Sequence, residues 1–454
     1  MTAPSAQPSF QGRIGRTFAE SEPWFEEHPH APPGAPNVVF VLLDDTGFAQ
    51  FGCFGSDIDT PHVDALAADG VQFTNFHVAP LCSPTRASLL TGRVQHAVGM
   101  WSVSNFQTGY PNQLGHIANH AATIAEVLRD EGYATFCTGK WHLVPTENSS
   151  AAGPFDQWPL GRGFDRFYGF LEGETDQFFP ELVTDNHPID PPARPEDGYH
   201  LSEFKFFNGL AESIDEVVER LDDLGGPNSH TNYPWGWAQC GNSPFRWYKQ
   251  NTHEGGVHVP MVVHWPAGIA ADQRGTKRSQ FVNVSDVTPT VYELLGVTPP
   301  ETYRGLDQLP VTGNSFASML ADPDAPATNT LQYFEHSGSR ALVAFADCTV
   351  VESTVKVPEG DCELSMRRRR TDKVGGVVEL AVDGQPAGSA ELPYIMWMIS
   401  SSGSSIGHDH GSTVSEHYDG SFPFAGTLHE VEINLSERTA ADVAATARAE
   451  MARQ

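Results

Sequence analysis

The chain has 454 residues, with 27 Lys and Arg against 57 Asp and Glu, so its formal net charge is −30. This length predicts two or three domains, or one large α/β domain with an appendage, and excludes a small binding module. The negative charge repels nucleic acid and anionic membrane surfaces, so we expect neither as a partner. Any anionic substrate must therefore be bound by local cations or by a metal ion.

The cysteines and the first residues bear on the cellular compartment. Six cysteines in so long a chain make no dense disulfide framework, and none forms the CxxC pair that is typical of zinc sites. The N-terminal residues contain no basic segment followed by an apolar stretch, and nowhere is there a run of about 18 apolar residues. These observations predict a soluble, cytoplasmic protein.

The predicted fold begins after an extended N-terminal arm. Residues 1–36 are rich in Pro, Glu and His and have no sustained period, which is typical of such an arm. Residues 37–43 form a continuous apolar and β-branched run, the pattern of a central parallel strand that is buried on both faces. The run stops at Asp44 and Asp45, directly after the predicted strand.

Helices and strands alternate over the residues that follow. Thr60, Pro61 and Gly70 supply the cap, the first-turn proline and the stop of one predicted helix. The other predicted helices are 123–130, 208–225 and 285–295, and the other predicted strands are 133–137 and 260–265. This alternation predicts a doubly wound α/β sheet, in an α/β domain over residues 37–335.

The C-terminal region is predicted to be all β. Short apolar segments separated by turns such as Asp383-Gly384 predict strands at 341–345, 348–357, 376–382, 393–399 and 427–435. We expect a β-sandwich over residues 341–440, followed by a C-terminal helix or tail over residues 441–454. The basic run Arg367–Arg370 is interpreted as a solvated strand end or turn, and His408–His410 as a polar turn.

One segment predicts an anion site. Ser83 can cap a helix, Pro84 suits its first turn and Gly92 ends it. Cys82 then lies at the helix N-terminus, where the amide dipoles favour an anion and lower the pKa of a thiol. Arg86 follows one turn later on the same face of the helix. Local physics alone therefore predicts that this helix start binds an anion.

A family resemblance rests on Cys82-Ser83-Pro84-Thr85-Arg86, which is similar to the Cys-x-Pro-x-Arg signature of the type I sulfatases in the alkaline phosphatase superfamily. Further segments that resemble hallmarks of the family are Leu89–Arg93, the strand ending in Asp44-Asp45, Gly139–Leu143 and Thr252–Pro260. The resemblance covers most of residues 37–300 and implies the alkaline-phosphatase-like, doubly wound fold. The β-region, with Phe422–Thr427, resembles the C-terminal sandwich of some large bacterial arylsulfatases.

The resemblance implies a modified nucleophile and a bound metal ion. A formylglycine-generating enzyme would oxidise Cys82 to formylglycine (3-oxoalanine), whose hydrated aldehyde offers a hydroxyl group to attack sulfur. Asp44, Asp45 and an oxygen of the modified Cys82 would bind a divalent cation, Ca²⁺ with Mg²⁺ as the alternative.

The resemblance also assigns the polar residues around the nucleophile. Arg86 and Lys140 would hold the formylglycine hydroxyls and the sulfate oxygens, and His142 would take the proton that lets the aldehyde reform. Lys249 is placed like the second active-site lysine of the family.

Two expected parts of the family pattern are missing from the sequence. Sulfatases of this type supply further metal ligands from an Asp-Asn-Gly turn and a histidine from a loop before it, and neither occurs here. The Asp185-Asn186 pair predicts a loop. Asp185, Asn186 and His253 are the first candidates to take over the roles of the missing ligands and histidine. A block is expected to be missing between Glu203 and Phe204, which leaves a cation with few protein oxygens.

The sequence therefore predicts a sulfuric ester hydrolase of the arylsulfatase type, acting on a small-molecule or glycan sulfate ester and weakened by the missing ligands. One alternative is a phosphonate or phosphate monoester hydrolase of the same superfamily. A second alternative is a non-catalytic remnant whose β-region binds glycans.

Overall fold

The structure is a computed structural model that describes residues 10–25, 29–176, 178–192, 222, 235–329, 331–336, 339–344, 355, 361–371 and 376–392. All of these residues lie within residues 1–401, one of two compact units of the chain. The described α-helices are α1 (Pro61–Ala68), α2 (Cys82–Thr91), α3 (Ile124–Asp130), α4 (Trp235–Gly241), α5 (Glu254–Val257), α6 (Val287–Leu295) and α7 (Ala317–Ala321).

The described strands are β1 (Val71–His77), β2 (Phe136–Lys140), β3 (Arg166–Phe170), β4 (Leu182–Thr184), β5 (His187–Ile189), β6 (His258–Val263), β7 (Thr276–Arg278), β8 (Val282–Asn283), β9 (Thr302–Tyr303), β10 (Leu306–Asp307), β11 (Leu331–His336), β12 (Ser339–Ala344), β13 (Leu364–Arg370), β14 (Gly376–Val382) and β15 (Gln385–Leu392). Helices and strands are interspersed up to α7, and the described residues after it form strands alone, so the predicted α/β class with a C-terminal β region is confirmed.

The first sheet is built around β1, a strand that the sequence analysis did not predict. β1 pairs antiparallel with β6, with Val71 opposite Val263, and parallel with β7 and β8. Val71 and Phe73 point into the core, and Phe76 rejoins it after a break in register. This alternation is a strand signal, although it covers only part of β1. The predicted strand 260–265 corresponds to β6, which begins two residues earlier.

The second sheet has the order β2-β3-β4-β5. β2 is parallel to β3, with Lys140 opposite Phe170, and β4 and β5 form an antiparallel hairpin. The predicted strand 133–137 is therefore displaced, since β2 begins at Phe136 and ends at Lys140. This displacement places Lys140 at the carboxyl end of a parallel strand, where side chains of α/β proteins commonly form sites.

α2 packs between the cores of the two sheets. Ala87 contacts the apolar cluster that contains Trp141 and Leu143, whereas Leu89 contacts the cluster that contains Phe73 and Val71. A helix that is buried on opposite sides has little freedom to shift, so its first turn is held in place. This burial gives the N-terminus of α2 a fixed position between the sheets.

The start of α2 corrects one detail of the prediction. The helix begins at Cys82, its N-cap is Leu81, and Ser83 lies inside the first turn. The Ser83 hydroxyl accepts a hydrogen bond from the backbone N–H of Ser104 at 3.2 Å, so it does not cap the helix. Gly92 ends the helix in the left-handed conformation, with φ of 64°, as predicted.

The predicted central strand 37–43 is wrong. These residues form no strand, and Val39 and Val41 are each 78% exposed. A run that is apolar on both faces makes a central strand only where neighbours pair with its edges and cover its faces. The strands of the described residues form separate sheets, and none of them pairs with this run. The continuous apolar pattern therefore identified a segment whose expected neighbours are not among the described strands.

Several predicted helices agree with the structure. α1 lies inside the predicted segment 60–70, although the Thr60 hydroxyl accepts from the N–H of Gly52 instead of capping the helix. α3 begins after Thr123, whose side chain accepts from the N–H of Glu126 while the Glu126 carboxylate accepts from Thr123 N–H. α6 covers most of the predicted segment 285–295. The predicted helix 208–225 lies outside the described residues.

The C-terminal strands are antiparallel where the structure describes them. β11 pairs with β12, and β13, β14 and β15 form a second sheet. β14 coincides with the predicted strand 376–382, and β12 overlaps the predicted strand 341–345. Asp383 and Gly384 turn the chain with φ of 47° and 73°, as their pairing in a two-residue hairpin requires. Arg367–Arg370 lies at the end of β13, as predicted.

The remaining C-terminal predictions are not tested by the structure. The strands 348–357, 393–399 and 427–435, the tail 441–454 and the His408–His410 turn lie outside the described residues, apart from residue 355. Among the described helices, none combines the length and the apolar character that crossing a membrane requires.

Candidate active site

Cys82 and His142 meet at the start of α2. The Sγ atom of Cys82 lies 3.2 Å from His142 Nδ1. His142 reaches this position because its backbone N–H donates to the Leu171 carbonyl at 2.9 Å, which continues the pairing of β2 with β3 by two residues. The predicted nucleophile position and the predicted proton acceptor are therefore in direct contact.

The hydrogen bonds of Asn105 determine which nitrogen of His142 carries the proton. The Asn105 amide Nδ2 donates to Glu172 Oε2 at 2.8 Å and to Thr146 Oγ1 at 3.0 Å. Its Oδ1 therefore faces His142 Nε2, at 2.8 Å, and accepts a hydrogen bond from it. With the proton on Nε2, a neutral His142 presents the lone pair of Nδ1 to Cys82.

His142 is held neutral by its surroundings. Burial lowers its pKa well below the ordinary value of 6.5, the positive charges of Lys140 and Arg86 lower it further, and Asp44 opposes them. With this pKa the ring is neutral near neutral pH, and because its one proton lies on Nε2, Nδ1 carries none. His142 can therefore accept a proton from a group at position 82.

Two cations bind Asp44. Lys140 Nζ lies 2.5 Å from Asp44 Oδ2, and Arg86 Nη2 lies 3.7 Å from Asp44 Oδ1. Burial alone would raise the pKa of Asp44, but Lys140 and Arg86 outweigh burial, so the pKa is lowered. Asp44 is therefore ionised near neutral pH. The Lys140 side chain is almost fully buried, so its charge acts on this pocket with little screening by solvent.

Asp45 is paired with Lys249. The Nζ atom of Lys249 lies 2.5 Å and 2.8 Å from the two carboxylate oxygens of Asp45. Burial lowers the pKa of Lys249, but its electrostatic interactions with Cys82 and Asp45 outweigh burial, and the pKa is raised. The lysine therefore stays charged. Its electrostatic coupling to Cys82 places it in the same pocket.

Left-handed backbone conformations recur at this pocket. Asp45 and His142 have φ of 52° and 55°, and Trp247 and Gln250, on either side of Lys249, have φ of 68° and 73°. Each such conformation of a non-glycine residue costs about 1–3 kcal/mol and persists only where the surrounding structure imposes it. Strain of this kind is concentrated at functional sites, which supports the view that this pocket is one.

Two glycines allow the segment with Lys249 to approach α5. A Cβ atom on Gly255 would lie 2.0 Å from the Trp247 carbonyl oxygen, and one on Gly256 would lie 2.0 Å from the Asn251 carbonyl oxygen. Any side chain at either position would push the segment away from the helix. The Gly-Gly pair therefore helps to set the position of Lys249.

Asp44 and Asp45 are the carboxylates that could hold a metal ion here. Adjacent carboxylates suit a hard cation such as Ca²⁺ or Mg²⁺, so the donor chemistry fits. Asp185 is bound elsewhere: its carboxylate accepts from Arg166 Nη1 at 2.7 Å and from the N–H of Phe167 at 3.1 Å. His253 is the N-cap of α5. Neither residue joins the carboxylate pair in this structure.

Arg86 retains a donor for an anion. Its Nη1 donates to the Lys140 carbonyl at 2.7 Å, which fixes the guanidinium group. Its buried Nε has no hydrogen-bond partner among the described residues. A buried donor without a partner costs about 1–3 kcal/mol, and an anionic oxygen in the pocket would remove that cost.

Sequence reasoning missed the residues that surround His142. Asn105 follows no recognisable motif, and it reaches His142 only through the fold. Gly173 packs against the imidazole, since a Cβ atom there would lie 2.5 Å from His142 Cε1. The sequence offered no signal for this contact, because β3, the strand that precedes Gly173, was not predicted.

This chain is similar to known proteins over part of its length. An uncharacterized sulfatase of Schizosaccharomyces pombe is 33% identical over 207 residues, which cover 41% of this chain and 35% of the relative. Human N-acetylgalactosamine-6-sulfatase is 28% identical over 350 residues, which cover 61% of this chain and 66% of the relative. The chain thus spans less than two thirds of either relative. PsFucS1 sulfatase from Pseudoalteromonas sp. is 20% identical, with a TM-score of 0.46, covering 71% of this chain and 80% of that one.

The match to a protein family is broader than these pairwise similarities. Residues 36–224 and 198–297 match the Sulfatase family as two overlapping stretches that together extend over more than half of the chain. They include Asp44 and Asp45, the Cys82 signature, Lys140 with His142, and Lys249. The chain belongs to the Sulfatase family, the type I sulfatases of the alkaline phosphatase superfamily.

Proposed function

We propose that this chain is a sulfuric ester hydrolase that acts on aryl or glycan sulfate esters. The observation that carries the proposal is the contact of 3.2 Å between Cys82 Sγ and the deprotonated Nδ1 of His142. Lys140, Lys249 and Arg86 place positive charge around this contact, in a chain whose net charge is −30. Such a pocket suits a sulfate group, which the rest of the surface repels.

Formylglycine derived from Cys82 is part of the proposal. When present, its hydrated aldehyde supplies the hydroxyl group that attacks sulfur, which a thiol does not supply. His142 Nδ1 faces this position and would accept the proton of that group. The hydrogen bond to Asn105 keeps the ring proton on Nε2. Nδ1, which faces position 82, therefore remains the nitrogen that accepts a proton. A formylglycine-generating enzyme is the implied maturation partner.

The cations around Cys82 would bind the sulfate oxygens. Arg86 contributes its buried Nε, and Lys140 and Lys249 contribute ammonium groups that now pair with Asp44 and Asp45. These donors are held in place by ion pairs, of which that of Lys140 is largely buried, so little reorganisation is needed when charge develops on the ester oxygens.

We assign a divalent cation to Asp44 and Asp45, with Ca²⁺ favoured over Mg²⁺ and with an oxygen of the modified Cys82 as a further ligand. Bound there, the ion would offset the charge of the sulfate group. Asp44 and Asp45 would share their carboxylate oxygens between the ion and the two lysines. Because Ca²⁺ takes 6–8 oxygens, a site with two protein carboxylates depends on water and is weak.

The shortage of ligands predicts slow turnover. The two stretches that match the family overlap at residues 198–224, which is where the sequence pattern predicts a missing block. We therefore expect turnover below about 1 s⁻¹, the low end of ordinary enzymes. A sulfated amino sugar is a reasonable substrate class, since N-acetylgalactosamine-6-sulfatases are among the relatives.

The test compares esters that differ only in the transferred group. We would express the full chain with a formylglycine-generating enzyme and measure kcat/KM on an aryl sulfate, an aryl phosphate and an aryl phosphonate monoester. The proposal predicts that the sulfate is hydrolysed fastest and that Cys82→Ala removes this activity. Faster hydrolysis of the phosphate or phosphonate would favour the other hydrolase class. No Cys82-dependent hydrolysis of any ester would favour the non-catalytic remnant.

A further inference from the structure

Two histidines and a glutamate form a cluster that has no role in the proposed sulfate chemistry. His77 ends β1, Glu254 opens α5 and His258 opens β6. One ligand atom of each residue lies within 4.8 Å of the others. Glu254 Oε2 is 3.2 Å from His77 Nε2 and 2.7 Å from His258 Nδ1. Both imidazoles are buried, whereas the Glu254 side chain is 29% exposed and leaves a route from solvent.

The cluster holds a negative charge that no lysine or arginine of the described residues pairs with. Burial alone would raise the pKa of Glu254, but the hydrogen bonds from His258 and His77 outweigh it and hold the pKa far below its usual range. The ion pairs of Glu254 within the described part of the chain are with these two imidazoles. A carboxylate that is largely shielded from water is stabilised by a positive partner, either an imidazolium or a metal ion.

One imidazole, that of His258, is oriented as a metal-binding histidine usually is. His258 Nε2 donates to the Thr74 carbonyl at 2.7 Å, which turns Nδ1 towards Glu254. A histidine that binds a metal commonly donates its other ring nitrogen to a carbonyl in this way. His77 turns its Nε2 towards the same carboxylate, at 3.2 Å from Glu254 Oε2.

Aromatic side chains hold the two rings in place. His258 stacks on Phe245 with 4.1 Å between ring centroids, and His77 lies 4.9 Å from Phe281. The two imidazoles are 4.3 Å apart between centroids. The ligand atoms are therefore positioned by packing before any ion binds, which lowers the entropy cost of binding.

We infer that His77, Glu254 and His258 form a binding site for a transition-metal ion of the Zn²⁺ class, separate from the carboxylate pair at Asp44 and Asp45. Two imidazoles and a carboxylate are the donor set of open zinc sites, and nitrogen donors favour Zn²⁺, Co²⁺ or Ni²⁺ over Ca²⁺. Bonds of about 2.0–2.2 Å separate the ligand atoms of a tetrahedral site by about 3.4 Å. The observed separations of 3.2 and 2.7 Å need only a small opening to accept an ion.

The ion would take the place of a proton. Without metal, the Thr74 carbonyl and the Glu254 carboxylate lie within hydrogen-bond distance of the two ring nitrogens of His258, at 2.7 Å each. A metal ion displaces the proton on Nδ1 and neutralises Glu254 itself. A bound ion would also link β1, which precedes α2, to α5 and β6, which follow Lys249.

The experiment measures metal binding without any reference to catalysis. We would strip the full chain with a chelator and titrate it with Zn²⁺ by calorimetry and with Co²⁺ by visible absorption. We expect one Zn²⁺ per chain at the cluster and the intense Co²⁺ absorption of a four-coordinate site. His258→Gln and Glu254→Gln should each weaken Zn²⁺ binding at least about tenfold. Circular dichroism of both variants would verify that they are folded.

Two controls separate the cluster from other metal ligands. His264→Gln changes an exposed histidine that hydrogen-bonds Asp69, and it should leave Zn²⁺ affinity unchanged. Cys82→Ser removes the thiol beside His142 and should also leave the cluster's Zn²⁺ bound. The inference is overturned if the parent binds no Zn²⁺, if its Co²⁺ complex has only the weak absorption of a six-coordinate ion, or if folded His258→Gln binds Zn²⁺ as tightly as the parent.

Discussion

Asn105 Oδ1 accepts a hydrogen bond from His142 Nε2 at 2.8 Å, and this bond selects the nitrogen that faces Cys82. The Asn105 amide cannot turn around without losing its bond to the Glu172 carboxylate, which only accepts. One exposed side chain therefore sets the tautomer of a buried imidazole.

The first prediction concerns Asn105 as a positioning residue. Asn105→Ala should lower kcat on an aryl sulfate by about 10–100-fold with little change in KM, because His142 loses its orientation and not its contact with substrate. Gln107→Ala is the matched control, since Gln107 lies in the same loop and bonds Glu147 instead. Equal kcat values for Asn105→Ala and the parent would show that the orientation of His142 is set by other groups.

The second prediction uses the contact between Gly173 and His142. A Cβ atom at position 173 would lie 2.5 Å from Cε1 and 2.7 Å from Nε2 of the imidazole, so Gly173→Ala must move the ring. We expect kcat to fall at least about tenfold while the fold is retained. Gly236→Ala in α4 is the control, because nothing lies within 4 Å of the added Cβ there. Unchanged kcat in Gly173→Ala would mean that His142 tolerates displacement.

The third prediction concerns the metal site. Asp45→Asn should abolish Ca²⁺ binding measured by calorimetry, because a site with so few protein oxygens cannot lose an anionic ligand. Asp44→Ala should have the same effect. Asp57→Asn, in an exposed loop, is the control and should bind Ca²⁺ like the parent. If both site variants bound Ca²⁺ as tightly as the parent, the ion would have to lie elsewhere.

The fourth prediction links Asp286 to the pH dependence of stability. Burial raises the pKa of Asp286 to about 6, although the N–H groups of Asn283 and Asn314 donate to it. A carboxyl whose pKa is higher in the folded state binds its proton more tightly there. The stabilisation from this bound proton is complete at pH values below the pKa that Asp286 has in the unfolded state. It is lost as the pH rises to about 6, the pKa in the folded state.

Urea unfolding between pH 4 and pH 7 tests this sign. From the two pKa values, the loss in the free energy of unfolding is at most about 3 kcal/mol. Asp286→Asn, which cannot titrate, should be less stable at pH 4 but should lack this part of the pH dependence. The assignment fails if the difference between the variant and the parent is the same at both ends of the pH range.

The fifth prediction tests the exposed run at residues 37–43. Val41 is 78% exposed, so Val41→Lys should change the free energy of unfolding by no more than about 0.5 kcal/mol. Val71→Lys, at a fully buried position of β1, is the contrasting variant and should destabilise by several kcal/mol. A large loss of stability in Val41→Lys would instead indicate that the run is a covered central strand.

The catalytic constellation could be predicted from the sequence because its residues occur in short motifs. Cys82, Lys140 and His142 are identified by local patterns, and the structure brings them into one pocket with Lys249. The roles of these residues remain predictions. Asn105 could not be predicted in this way, because its importance depends on a contact between distant segments of the chain.

The errors in the fold prediction have two physical causes. The run at 37–43 has the apolar pattern of a core strand, but that pattern describes what a segment can bury and not which neighbours cover it. β2 is also an edge strand of its sheet, with Phe136 66% exposed. Restoring the block expected between Glu203 and Phe204 should supply a missing neighbour and raise both stability and turnover.

The displaced start of β2 and the wrong cap at Ser83 reflect the weakness of local signals at the ends of elements.

The central claim is that Cys82, once converted to formylglycine, is the group through which sulfate esters are hydrolysed. The most direct test is to prepare samples with different degrees of conversion at Cys82, measured by peptide mass, and to determine the rate of aryl sulfate hydrolysis in each. The rate should rise in proportion to the converted fraction and extrapolate to zero for the unmodified thiol. A rate that does not depend on the converted fraction would contradict the claim.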